Sequence, residues 1–153
     1  MTEPSLRTLP HTLPAAFQRG DDASATKALE AVHVVLLQDI VAAIARCDYP
    51  AFEAHLAPEV ELEIYAPSDF PFTRRAQGAA AVREAVVANF SKVEEQHPTV
   101  LSLVAQGDTV IMLGREEGRL RSTGRSYAVH FVQQFTFRDG QLLAFREIVG
   151  PIQ

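Results

Sequence analysis

Apolar residues between Lys27 and Cys47 recur every three or four positions, at Leu29, Val32, Leu36, Ile40, Ala43 and Ile44, with Glu30, Gln38, Asp39 and Arg46 between them. That spacing predicts an amphipathic helix of about six turns. Asp48 can cap a following helix, and Pro50 suits a first turn, where no amide hydrogen is needed. A short helix over Tyr49 to Leu56 is therefore expected, ending before Pro58. The period then drops to two: Leu62 and Ile64 alternate with Glu61 and Glu63, which marks Val60 to Tyr65 as a half-buried strand. Ala66 to Gln77 carries Pro67, Phe70, Pro71, Phe72 and Arg74-Arg75 and reads as a loop whose aromatic residues fold over something. After Gly78 a second long helix is expected to about Glu95, with Val82, Val86, Phe90 and Val93 as its buried stripe.

The remainder predicts a sheet. Strand-like runs occupy Thr99 to Ala105, Thr109 to Leu120, Ser126 to Phe137 and Gln141 to Val149, separated by Gly107-Asp108, Ser122 to Gly124 and Asp139-Gly140. Asp-Gly between two apolar runs is a strong hairpin signal, and successive hairpins make a meander. The expected architecture is an α+β domain: a curved antiparallel sheet packed on two long helices and one short one.

Residues 1–26 differ from this body. Pro4, Pro10 and Pro14 punctuate a polar stretch, which predicts an N-terminal arm ahead of a single domain over residues 27–153. With 14 Lys and Arg against 19 Asp and Glu, the net charge of −5 argues against a nucleic-acid binder. Arginines gather in the sheet half (Arg115, Arg119, Arg121, Arg125, Arg138, Arg146). Asp48 to Asp69 instead holds six acids and no Lys or Arg, so pairing between the two regions or across a dimer is expected. Cys47 is the only cysteine, which excludes an internal disulfide framework. Met1 to Gly20 lacks the apolar core of a secretory leader, and Ile40 to Ala45 is far shorter than the ~20 residues that span a bilayer. A cytoplasmic protein without a membrane partner is expected. The histidines (His11, His33, His55, His97, His130) show no metal-ligand spacing, and no glycine-rich phosphate loop occurs, so neither metal nor organic cofactor is expected. His33 and His55 are expected as partly buried surface groups.

The element order, with Gln38-Asp39-Ile40-Val41-Ala42-Ala43 ahead of Asp48, Gly78 opening Ala79-Ala80-Ala81-Val82-Arg83, and the closing Phe135-Thr136-Phe137-Arg138-Asp139-Gly140-Gln141-Leu142, resembles one superfamily. It is similar to the cone-shaped fold of ketosteroid isomerase, the SnoaL-like polyketide cyclases, limonene epoxide hydrolase and nuclear transport factor two. The resemblance covers roughly Lys27 to Gly150. It implies a deep apolar pocket between the sheet and the long helices, and pairing of the outer sheet face with a second copy of the chain.

Ketosteroid isomerase uses an aspartate base and an oxyanion hole of a tyrosine and a protonated aspartic acid. On that pattern the helix tyrosine falls on Ile40, the strand base on Ile64 and the oxyanion-hole carboxyl on Gln133. The Arg-x-Asp pair of the epoxide hydrolases corresponds to Phe131-Val132-Gln133. Neither catalytic set is retained. The closing Phe145-Arg146-Glu147-Ile148-Val149 does resemble the last strand of the SnoaL-like group and places Glu147 where a pocket carboxylate can sit.

Alternation anchored on an inward Gln133 also turns Tyr127, Val129, Phe131 and Phe135 inward, with Phe145, Glu147 and Val149 on the next strand and Met112, Gly114, Glu116, Gly118 and Leu120 on the preceding one. A carboxylate among apolar groups has a raised pKa, which suits proton transfer near neutrality, and nearby donors can hold an enolate oxygen. The expected chemistry is proton transfer next to a carbonyl in a small hydrophobic substrate, with Glu147 as acid/base, Gln133 or Tyr127 as oxyanion donor and Glu116 as a second carboxylate. Ile40, Ile64, Tyr65, Phe70, Phe72, Met112, Phe131, Phe135, Phe145 and Val149 would line the substrate site, with the Phe70 loop as a lid. The competing readings are a binding or dimerisation module with Glu147 in a structural ion pair with Arg74, Arg75 or Arg115, and a domain whose pocket is filled by Phe131, Phe135 and Phe145.

Overall fold

The computed structural model describes residues 23–152. Of the expected arm over residues 1–26, residues 1–22 lie outside the described residues, and residues 23–26 are the start of a helix. The elements are α1 (Ala23–Ala45), α2 (Tyr49–Ala54), β1 (Leu56–Tyr65), β2 (Arg75–Gln77), α3 (Ala79–Ser91), β3 (Val93–Gln106), β4 (Thr109–Leu120), β5 (Ser126–Arg138) and β6 (Gln141–Pro151). One sheet of six strands runs in the order β2-β1-β6-β5-β4-β3. The four long strands form the expected antiparallel meander. Asp139 and Gly140 both take positive φ, 51° and 75°, the backbone that a two-residue hairpin matched to strand twist requires.

The sheet is mixed rather than antiparallel throughout. β1 joins β6 in parallel, with Leu62 opposite Phe145 and Ile64 opposite Glu147. Strand pairing of this kind follows from which edge the chain returns to, which a local period does not encode. The stretch Arg75–Gln77, expected as loop, adds an antiparallel edge strand to β1. β1 also starts earlier than expected, at Leu56, and the register with β6 shifts between Leu56 and Glu61. Pro58 falls in that irregular stretch, where a missing ladder N–H does no harm.

Both long helices differ from their expected stripes. α1 begins at Ala23 and buries His33, Leu37, Ile40 and Ala43, whereas Leu29 and Val32 are 43% and 53% exposed. Its length and apolarity meet those of a membrane-crossing helix, which the short run Ile40 to Ala45 did not indicate. A helix apolar on most sides has no single stripe, so side-chain partners choose the buried face. His33 is chosen by two of them: its ring stacks on Phe137 at 5.1 Å, and its Nδ1 lies 2.9 Å from the Gly107 carbonyl oxygen. Glu30 accepts the Gly107 N–H, so α1 clamps the β3–β4 turn by both backbone groups, and His33 is core rather than surface.

α3 ends at Ser91, and Val93 begins β3 opposite Leu120. The apolar period Val82-Val86-Phe90-Val93 crosses the junction because both segments face the same core. Asn89, buried on α3, accepts the Thr73 N–H at 2.7 Å and donates to the Thr73 carbonyl at 3.1 Å. Arg74 donates to the carbonyls of Ala66, Pro67 and Phe70, and Lys92 to that of Pro71. The Phe70 loop is therefore pinned along its backbone and forms a wall, not the expected lid.

Candidate functional site

Strand register assembles the site. Met112 on β4, Gln133 on β5, Glu147 on β6 and Ile64 on β1 are successive partners along one rung of the sheet. Val110, Phe135, Phe145 and Leu62 form the neighbouring rung on the same face. Above these rungs lie Ile40 of α1, Phe52 of α2 and Val82 of α3, and between helices and sheet remains a cavity of about 240 Å³. It is smaller than the roughly 300 Å³ at which pockets for drug-sized ligands begin, so it suits a small molecule. Phe135 and Phe145 contact each other with ring centroids 5.1 Å apart and leave the cavity open, so the self-filled pocket is not what forms. Val41 and Phe90 line the cavity yet are 46% and 41% exposed, which puts its mouth between α1 and α3.

Nine of the candidate residues line this space: Glu147, Gln133, Glu116, Ile40, Ile64, Phe72, Met112, Phe135 and Phe145. The other five do not. Phe131, 6% exposed, packs its ring over Gly114, where an added Cβ would lie 2.2 Å from its Cζ. Phe70 belongs to a second core cluster with Val93, Leu120 and Val129, edge-on to Tyr127 at 5.3 Å, and Val149 packs against both clusters. Tyr65 sits on the outer face, half exposed, with its hydroxyl donating to Glu63. Of the three residues expected to flank the mouth, Tyr65, Phe70 and Phe72, only Phe72 lines the cavity, and Phe131 and Val149, inward by strand parity, pack into the core instead.

Tyr127 is the most informative departure. Its hydroxyl donates to Glu116 Oε1 at 2.5 Å, across Gly118, whose missing Cβ leaves room for the ring. A hydroxyl committed to a carboxylate, and absent from the cavity wall, is not the oxyanion donor expected. Burial, helped by the Glu116 charge, holds the Tyr127 pKa well above that of a free phenol, so the proton stays on oxygen. Glu116 also accepts from Gln96 Nε2 at 3.2 Å. Gln96 was not a candidate, because its segment carried no strand pattern of its own.

Glu147 accepts from Gln133 Nε2 at 2.9 Å and forms no ion pair among the described residues. Arg74, one of the expected partners, is occupied by backbone carbonyls. Burial pushes the Glu147 pKa up to about 7, with the Gln133 bond opposing and the Glu116 charge adding to the rise. The two carboxylates are thus unlike: Glu116 has two donors and Glu147 has one, in a mostly apolar cup. Among the described residues no three His, Cys, Asp or Glu side chains gather closely enough to hold a metal ion.

A SnoaL-like domain family matches residues 37–145, over two thirds of the chain. The chain belongs to the SnoaL-like family. Among solved structures, this SnoaL-like protein is similar to an NTF2-like protein from Burkholderia xenovorans LB400, at 27% identity and TM-score 0.68 over 79% of this chain and 91% of that one. It is also similar to an NTF2-like protein from Burkholderia thailandensis E264, at 25% identity and TM-score 0.64 over 75% and 88% of the two chains. AclR, a putative hydroxylase from Streptomyces galilaeus, shares the fold at 18% identity and TM-score 0.60 over 80% and 81%. No curated protein matches the chain.

Proposed function

We propose that this SnoaL-like protein binds a small hydrophobic carbonyl compound and transfers a proton next to the carbonyl, as an isomerase or cyclase would, without metal or organic cofactor. The observation that carries the reading is Glu147, poised near neutrality at the floor of an apolar cavity with an amide donor 2.9 Å away. As base, Glu147 takes the proton from the carbon beside the carbonyl. Gln133, through its remaining N–H, stabilises the enolate oxygen.

A catalysed exchange in deuterium oxide tests this: the protein accelerates deuterium uptake beside the carbonyl of small cyclic ketones such as cyclohexanone, followed by NMR. Glu147→Gln lowers that rate by about 10²–10⁴. Equal rates for the two proteins overturn the catalytic role. A non-catalytic binding module is the second reading, favoured by the loss of Tyr127 to Glu116, which leaves one oxyanion donor where ketosteroid isomerase has two.

The assembly we propose is a homodimer through the outer sheet face. Leu113, Val132, Ile148 and Tyr65 lie along one outer rung, all exposed, and Ile111 and Val104 extend the patch. A row of apolar side chains on an open face fits a second copy of itself. The charge polarity is spent inside the chain, Arg125 on Asp69, Arg138 on Glu59 and Arg146 on Glu63, which supports a role without nucleic acid. An exposed, unpaired Cys47 fits the cytoplasm.

A further inference from the structure

Among the described residues the cavity wall contains two carboxylates, five phenylalanines and no Lys, Arg or His. Each carboxylate is held, among the described residues, only by neutral groups: Glu116 by Gln96 and Tyr127, Glu147 by Gln133. Glu147 accepts that one bond through Oε1, and no described residue donates to its other oxygen, although the residue is half-buried in the cavity wall. Buried anions are normally matched by a cation or lose their charge. Here the described residues place no cation in the wall, and the aromatic rings of Phe52, Phe72, Phe135 and Phe145 line the space instead. Aromatic faces attract a positive centre through their quadrupole, and carboxylates attract it by charge.

We propose that the cavity selects small hydrophobic amines, with the protonated nitrogen against Glu147 and Glu116 and the hydrocarbon body between the phenylalanines. This deepens the reading of the cavity as a ligand site, and it does not depend on the proton transfer. For the reaction proposed above, it makes the substrate class a carbonyl compound that also carries a basic nitrogen. An anionic ligand adds negative charge to a cup that already holds two carboxyl groups and no cation among the described residues, and is disfavoured. The volume, about 240 Å³, admits a single ring with a short side chain.

The cation also changes the protonation of its site. Facing Glu147 are Glu116 and, behind it, Tyr127; the lining residues of α1, α2, α3 and β1 are Ile40, Val41, Ile44, Phe52, Val82, Val86, Asn89, Phe90, Leu62 and Ile64, none of them titratable. An ammonium arriving beside Glu147 favours its charged form, so binding expels a proton near neutral pH, and affinity for the amine rises from pH 6 to pH 8.

Calorimetric titration with three matched probes, 2-phenylethylamine, 2-phenylethanol and phenylacetate, tests the proposal on the full chain. The amine is expected to bind at least about tenfold tighter than the alcohol, and phenylacetate weakest. Repeating the amine titration at pH 7 in buffers of different ionisation enthalpy is expected to show proton release. Glu116→Gln should bring the amine-to-alcohol affinity ratio down toward one, and Glu147→Gln should abolish the proton release. Because each ratio is taken within one variant, a general loosening of the pocket cancels. An amine no tighter than the alcohol, or a ratio unchanged in both variants, overturns the proposal. Ketone exchange without amine preference would leave the proton-transfer reading standing alone, and amine preference without exchange would do the reverse.

Discussion

The two faces of the same three strands differ by one residue in sequence and by everything in chemistry. On the inner face Met112, Gln133 and Glu147 are partners in one rung; one step along each strand, Leu113, Val132 and Ile148 are partners in the next, and these point outward. The inner rung floors a cavity with a poised carboxylate. The outer rung is a bare apolar row, with Ile148 59% exposed beside Tyr65. Alternation puts neighbours on opposite sides, so a sheet can carry a reactive site and an assembly surface on one stretch of chain without either constraining the other's residue types. The faces remain coupled through register alone.

If the faces are separable, charge on the outer row should dissolve the proposed dimer and spare the site. Val132→Glu combined with Ile148→Glu puts four like charges into the proposed interface of two copies, at a cost of several kcal/mol. Sedimentation should show a monomer at micromolar concentration that still exchanges ketone protons. Loss of exchange together with the dimer would mean that the faces are not independent.

The inner face has a pH signature of its own. Glu147 holds its proton up to about pH 7 when folded and loses it near 4.5 when unfolded, so the folded state binds more protons between those values. Stability therefore falls as pH rises from 4.5 to 7, by about 3 kcal/mol for this one group, and stays lower above. Glu147→Gln should flatten that decline and raise the melting temperature at pH 8 with little change at pH 4. A parallel decline in the variant would place the titration elsewhere.

Smaller effects should come from the two glycines of β4 that lie beneath aromatic rings. Gly114→Ala drives a methyl into the buried ring of Phe131 and should destabilise by about 1–3 kcal/mol. Gly118→Ala meets the Tyr127 hydroxyl at 2.5 Å and should cost less, because that ring is only half-buried and can turn away. Chemical denaturation ranks the pair. Only the second should also disturb the Glu116 hydrogen bond, read as a change in amine affinity.

Much of this was legible in the residues. Period-two runs and the Asp139-Gly140 turn determined the meander, because hairpins are built from adjacent segments and need no distant information. Alternation from Gln133 determined which side chains of β5 and β6 face inward, and with them the pairing of Glu147 with an apolar cup, whereas the parity of β4 was fixed only by its cross-strand register, Met112 opposite Gln133. The charge polarity of the chain likewise predicted ion pairs between the acidic stretch and the sheet arginines. The burial face of α1, the parallel joining of β1 to β6, and the strand at Arg75–Gln77 were decided only by tertiary structure, since each depends on partners far away in sequence. So were the roles of the polar groups. Tyr127 and Gln133 both face inward by parity, yet one is absorbed by Glu116 and the other by Glu147, because the space over Gly118 and the cross-strand register set which acceptor each donor meets. Local pattern determines which side of the sheet a group is on; packing across strands determines what it touches there.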